Sequence, residues 1–485
     1  MTRKQAAPFF CIILASFVVI FGNQLFTKGL FVDSVFYGCL AQNLHEGFGN
    51  WWDLSVTQHY QDVFVGHPPL GVWMLSGLMD WLGTPFWIER FFALLCLFFL
   101  LFGMAKVWQL VYPKSSILST WWLWFLWGTI LVNIWSFQQN LLDNVMVVFI
   151  IGTVYWSIKS IRDQHIVSSI IAGLFLFLAT FSKGPVGLFP LITIGAYWLA
   201  FRNVRLREAI FLNLVVLLTV LCSYLLLLYN SSDAQHYFEA YFREQLVRSF
   251  SDNSLAIRGR FYILKLMLLE PVVLWILFLG IFYQYKRQKQ TVPKPIGQWS
   301  IFFLLLFLAG TLPMLVSPKQ MRFYIVPALP FVALSIGVFT YPWIEKQVQT
   351  WIQKGKRARL LYFLSTLLLV VGVYLSYYNY GRYSRDEALI KDIESVCTVI
   401  PPKAKILLKE AVTNHAARCY FMRMHHVGVH QYKWQKSKKN HLKNPPKFRL
   451  VEKGYPETIF HHTEVKLNLT HWILWELNDS YPKKH

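Results

Sequence analysis

Apolar residues in this chain come in long blocks, and most are long enough to cross a bilayer, whose core takes about 20 mostly apolar residues per helix. The blocks lie at 8–26, 88–110, 116–134, 144–159, 166–181, 184–201, 208–229, 266–285, 299–316, 323–343 and 359–378. The pattern therefore predicts about eleven transmembrane helices. Residues 68–82, opened by Pro68-Pro69, are apolar but short and contain glycine. They read as a helix lying at the membrane interface rather than a span. After residue 378 the pattern changes. Residues 385–398 read as an amphipathic helix, and the runs 404–408 and 470–475 read as strands. The expected organisation is an all-α transmembrane domain over 1–378, with an amphipathic outer loop at 27–87, followed by a small soluble α/β domain over 379–485.

Composition and charge sharpen this picture. Of 485 residues, 55% are hydrophobic and 15% charged, against about 25% charged in soluble domains. Yet 47 Lys and Arg stand against 25 Asp and Glu, a net charge of +22. This balance excludes a cytosolic enzyme, a disordered chain and a small disulfide scaffold. Nucleic-acid binding is the other common reading of a basic chain, and the membrane-length blocks set it aside. Arg3 and Lys4 precede the first block without a small-residue cleavage site, so that block reads as a retained span. With the N-terminus in the cytoplasm, the cytoplasmic loops hold Lys106 and Lys114; Lys159 and Arg162; Arg202, Arg205 and Arg207; Lys286, Arg287, Lys289 and Lys294; and Lys346, Lys354, Lys356, Arg357 and Arg359. Their acidic residues are Asp163, Glu208 and Glu345. This is the positive-inside pattern, and it puts the C-terminal segment outside the cytoplasm.

Candidate chemistry collects on the opposite face. The outer loops carry Asp33, then Gly66-His67-Pro68-Pro69, then Glu89-Arg90, then Asp143, then Ser182-Lys183-Gly184-Pro185, and finally Lys319, Arg322 and Tyr324. Ionisable groups at a membrane surface are costly unless solvated, paired or used. Cations there can hold a phosphate, and a carboxylate can take a proton from a nucleophile. Each residue also has a structural reading. Asp33 suits the N-cap of a helix over 34–46. Lys183, Lys319 and Arg322 can snorkel to headgroups. Glu89 and Arg90 read as an interfacial ion pair, and Asp143 can pair with one of the cations. The tryptophans at 121, 122, 124 and 127 read as an interfacial aromatic belt, with Trp51 and Trp52 as candidates for sugar stacking. His425, His426, His430, His461 and His462 read as part of a basic surface. Cys11, Cys96 and Cys222 fall inside spans, Cys39 in the first outer loop, and Cys397 and Cys419 in the tail, where an oxidising compartment permits pairing.

In their order, side and spacing these residues resemble the GT-C class of membrane glycosyltransferases. The resemblance is to family 39 and its lipid A aminoarabinose-transferase branch, and covers roughly the first 340 residues. It implies transfer of a sugar from a polyprenyl-phosphate donor to lipid A, another envelope glycan or a protein, on the outer face of a bacterial inner membrane. Membrane lipids are implied partners and nucleic acid is not. Asp33 matches the first-loop carboxylate that acts as base or orients the acceptor, and Asp143 the second, positioning carboxylate. His67, Lys183, Lys319, Arg322, Arg90 and Tyr324 match substrate-binding positions. Breaking the anomeric bond leaves charge on the lipid phosphate, which positioned cations stabilise. Attack from the opposite face implies inversion, and no cofactor is required. Two departures stand out. The run Asp33-Ser34-Val35-Phe36-Tyr37 lacks the Arg that many relatives carry. Gly66 replaces the acidic residue that contributes to a metal site in the aminoarabinose branch, which argues against a bound divalent metal. His67 is left as either a metal ligand or a phosphate donor. The alternatives are a protein O-mannosyltransferase-like or O-antigen-ligase-like transferase, and, less in keeping with charges gathered on one face, a lipid-linked sugar transporter.

Overall fold

The computed structural model describes residues 1–56, 63–247, 259, 261–317, 319–352, 355–410, 415–433, 447–453 and 463–477. The chain forms two compact units. The first comprises Met1–Phe26, Val65–Gly71 and Arg90–Tyr380; the second comprises Thr27–Phe64, Val72–Glu89 and Gly381–His485. The loop over 27–87 is thus shared out, most of it joining the unit that contains the C-terminal segment.

The first unit is helical. Among the described residues, 8 helices are long and apolar enough to cross a membrane, or up to 10 if each of two bent pairs is one span. These include Arg3–Leu25, Ile88–Val111, Leu142–Asp163, Ile166–Lys183 and Leu206–Asn230. The protein is an integral, multi-pass membrane protein. Every apolar block of the sequence becomes helical, but three are not simple spans. Ile117–Gly128 and Leu131–Phe137 meet at 97°, where Asn133 donates back to the Trp127 carbonyl at 3.1 Å. Tyr262–Leu269 and Val272–Arg287 meet at 56°, at Pro271, which cannot donate to the helical ladder. Pro185–Ile192 is a 3₁₀ stretch with Pro190 inside it, running into the α-helix Thr193–Phe201. The two prolines shorten what reads from sequence as a full span. The tryptophan cluster is also not a belt. Trp121, Trp122 and Trp127 are buried, and the Trp122 indole donates to Thr340 Oγ1 at 2.9 Å. In a bilayer, such packing and interhelical hydrogen bonds hold helices together, because burial against lipid tails contributes little.

The second unit contains the helices Val32–His45, Glu387–Val399 and His415–His425, most of the apolar helix Leu70–Leu82, and a five-stranded sheet. The strands are β1 (Lys405–Glu410), β2 (Gly428–Lys433), β3 (Phe448–Glu452), β4 (Thr463–Asn468) and β5 (Trp472–Leu477), in the order β2-β1-β3-β5-β4. β1 runs parallel to β2 and β3, while β5 runs antiparallel to β3 and β4. The helix near residue 34 starts earlier than expected. It begins at Val32 with Phe31 as N-cap, so Asp33 lies in its first turn, where a carboxylate still favours the helix dipole. Trp51 and Trp52 pack edge-on against Trp73, with ring centroids 5.2 and 5.0 Å apart. Cys397 and Cys419 are both free thiols. The reading of His461 and His462 falls outside the described residues, as does the side chain of His430.

Asp392 fastens the β4–β5 turn to the helix Glu387–Val399. Its carboxylate accepts from the backbone N–H of Thr470 (3.0 Å) and His471 (2.8 Å), and from His471 Nδ1 (2.7 Å). Burial alone would raise its pKa, but these hydrogen bonds hold it below the usual carboxylate range. A depressed pKa stabilises the fold above the unfolded value of about 3.9, and the contribution is lost as pH falls through the folded value. Asp392→Asn should therefore flatten the acid limb of unfolding below about pH 4. Hydrogen exchange at Leu469–Trp472 reads this directly, and an acid limb unchanged from the native chain would count against it.

Candidate active site

The first unit brings four loop segments together. Lys183 ends the helix Ile166–Lys183. Gly184 then takes φ +93°, a region L side chains avoid, while its N–H closes back on the Thr180 carbonyl at 2.7 Å. Pro185 opens the next helix. This turn holds the Lys183 ammonium at a largely enclosed position, its side chain 9% exposed, in an ion pair with Asp143, 3% exposed. Asp143 lies in the first turn of Leu142–Asp163. Its neighbour Asn144 fixes that helix start by donating to the carbonyls of Ser136 and Gln139, both at 2.8 Å. The ring of Tyr324 lies 4.8 Å from the ammonium and that of Phe323 5.5 Å. A cation over aromatic faces is further stabilised by their quadrupoles.

His67 borders the same cluster. Its ring pKa is pushed down to about 3, first by burial and then by the positive charges of Lys183 and Lys319. His67 is therefore neutral at physiological pH. Two nearby lysines also oppose a dication at His67, with Gly66 supplying no carboxylate. Among the described residues, no three His, Cys, Asp or Glu side chains gather as metal ligands would.

The remaining candidates are placed differently. Lys319 is exposed. Arg322 forms a two-pronged ion pair with Glu270, one contact being Nη2 to Oε2 at 3.0 Å. Arg90 is buried, and its Nη1 donates to the Gln138 carbonyl at 2.7 Å. Glu89 is held by Arg423 of the tail, with Nε donating to Oε1 at 2.6 Å. Asp33 belongs to the second unit. Glu270 and Asn144 are contributors that the sequence reading did not single out. Glu270 carries a signal of its own, as an acidic residue before a proline inside an apolar block.

These helices build the GT-C fold of membrane glycosyltransferases. Structurally, the chain is similar to ArnT from Cupriavidus metallidurans bound to undecaprenyl phosphate, with a TM-score of 0.60 and 14% identity over 96% of this chain and 98% of that one. The apo state of the same protein matches with a TM-score of 0.60 and 13% identity, over 96% of each chain. The oligosaccharyltransferase of Archaeoglobus fulgidus in complex with Zn and sulfate matches with a TM-score of 0.52 and 12% identity, over 91% of this chain and 68% of that one. At such identities the likeness establishes the fold. No protein-family profile matches the chain, and no curated protein matches it by sequence.

Proposed function

We propose that this chain is a glycosyltransferase that takes a sugar from a polyprenyl-phosphate donor and passes it, with inversion, to lipid A or another envelope glycan or lipid. The observation that carries this reading is the enclosed Lys183 ammonium, oriented by Asp143 and flanked by Tyr324, with neutral His67 nearby under the charges of both Lys183 and Lys319. A lipid phosphate is a poor leaving group until its charge is neutralised, and positioned cations do this without a metal or a nucleotide-binding fold. Neutral His67 retains an N–H to donate to a phosphate oxygen and adds no charge of its own. The ArnT structure with undecaprenyl phosphate supports a lipid-linked donor by likeness of fold. The positive-inside pattern supports a cytoplasmic N-terminus and an extracytoplasmic tail, and the proposed lipid-linked donor and envelope acceptor are in keeping with a bacterial inner membrane.

Asp33 is the proposed base for the acceptor hydroxyl. Asp33→Asn should lower turnover on the order of 10²-fold and leave affinity for undecaprenyl phosphate unchanged. Full activity in this variant would remove Asp33 from the chemistry. The acceptor class is read by supplying purified protein and labelled polyprenyl-phosphate sugar with lipid A or with peptide. Label in lipid A supports the reading, and label in peptide alone would replace it with a protein-modifying transferase. Activity should survive chelation by EDTA.

A further inference from the structure

Helix Ser232–Tyr241 lies in the long outer loop after Leu206–Asn230, and its sequence gave no catalytic signal. Ser231 caps it, its hydroxyl accepting from Ala234 N at 3.1 Å. Ala234, Tyr237 and Tyr241 form its buried face, at helical spacing. Phe238 packs against Phe181 at 6.2 Å and Tyr224 at 5.7 Å. The Tyr224 hydroxyl in turn donates to Thr180 Oγ1 at 2.9 Å. The helix is thus seated on the end of Ile166–Lys183.

The two buried tyrosines reach different turns. The Tyr237 hydroxyl donates to the backbone carbonyl of His67 at 2.5 Å. The Tyr241 hydroxyl lies directly against Gly184, where any added Cβ would collide with it and would also lie 3.8 Å from Pro68. One turn of helix therefore touches both the backbone bearing His67 and the backbone following Lys183. Burial pushes both phenols up, so both remain protonated donors at any physiological pH. For packing alone a phenylalanine would serve at 237. The hydroxyl instead makes a directed bond to the residue that flanks the lysine cluster.

We infer that Tyr237 and Tyr241 are positioning residues, a brace that sets the His67 and Lys183 turns at the spacing a lipid phosphate requires. The inference rests on the polyprenyl-phosphate reading above. The brace acts through the backbone, so each tyrosine shapes the phosphate cradle without itself touching the donor. Gly184 is part of the same device: glycine is required both by its φ of +93° and by the approach of Tyr241.

The test is titration of the full-length, detergent-solubilised protein with undecaprenyl phosphate, reading dissociation constant and number of sites separately. Tyr237→Phe keeps the ring and removes the hydroxyl. It should raise the dissociation constant about five- to tenfold, with the number of sites per chain unchanged. Gly184→Ala should raise it at least as far. A structural role alone would lower the number of sites and leave the dissociation constant as it was, and that result overturns the inference. So would unchanged binding in Tyr237→Phe and Gly184→Ala while Lys183→Ala binds weakly. If Lys183→Ala also binds normally, the lipid-phosphate reading itself falls, and the brace falls with it. Tyr241→Phe provides a second conservative variant, expected to bind weakly, should Gly184→Ala fail to fold.

Discussion

Lys183→Ala should reduce sugar transfer by roughly 10²- to 10³-fold, the size seen when one preorganised donor to developing charge is removed. The effect should fall on both turnover and affinity for undecaprenyl phosphate, because the charge on the lipid phosphate exists after bond cleavage as well as during it. The variant has a second consequence that must be separated. Asp143 is 3% exposed and loses its partner, and an unpaired buried carboxylate is itself destabilising. A double variant distinguishes the two. In Lys183→Met with Asp143→Asn neither charge remains, so the unpaired-carboxylate penalty disappears. If Lys183 served only to neutralise Asp143, this double variant would recover activity. A substrate-binding lysine predicts that it stays as inactive as Lys183→Ala while its folded fraction returns. Recovery of transfer in the double variant would remove Lys183 from the donor site. His67 adds a pH expectation. With its pKa near 3, donor binding should show no inflection from this ring between pH 5 and 8.

The membrane part of the fold was legible because lipid imposes a simple rule on sequence. Twenty apolar residues read as a span whatever their partners, and all the apolar blocks became helices. The misreadings were local and had backbone causes. Pro185 and Pro190 turned 185–192 into 3₁₀ helix, and Pro271 broke the block around it. Periodicity does not register such breaks, since it counts side chains and not lost N–H donors. The site was legible as a set of residues but not as a set of pairs. Lys183 and Asp143 are 40 positions apart and Arg322 and Glu270 are 52 apart. Nothing in a single sequence says which carboxylate meets which cation. Glu89 shows this most clearly. Its neighbour in sequence suggested a partner, and Arg423, which holds it, lies 334 positions away. Tyr237 and Tyr241 were invisible for a related reason: their role depends on backbone atoms of distant turns, which leave no mark on residue type.

Arg423→Met should destabilise the second unit by about 3–5 kcal/mol, the usual cost of removing one partner from a buried ion pair. The guanidinium is 7% exposed and the Glu89 carboxylate 0%. Arg423 Nε and Nη2 reach the two carboxylate oxygens, at 2.6 and 3.3 Å. Nη1 donates to Gln42 Oε1 at 2.9 Å and to the Thr84 carbonyl at 3.1 Å, and Nη2 to the Pro85 carbonyl at 3.0 Å. One side chain from the helix His415–His425 therefore ties together the helix Val32–His45 and the segment ahead of Glu89. Three stretches far apart in sequence depend on it, which is why truncation should be felt across the unit and not at one contact. Lysine cannot replace it, because a single ammonium lacks the planar fork that satisfies five acceptors at once. Limited proteolysis of the intact protein, followed at sites within Thr27–Phe64 and Gly381–His485, reads the opening of this unit apart from the membrane helices. Arg423→Met should speed cleavage there markedly, and adding Glu89→Gln should restore much of the protection by removing the stranded charge. Equal protection in Arg423→Met and the native chain would show that water reaches Glu89, and that the pair is no more than a surface contact.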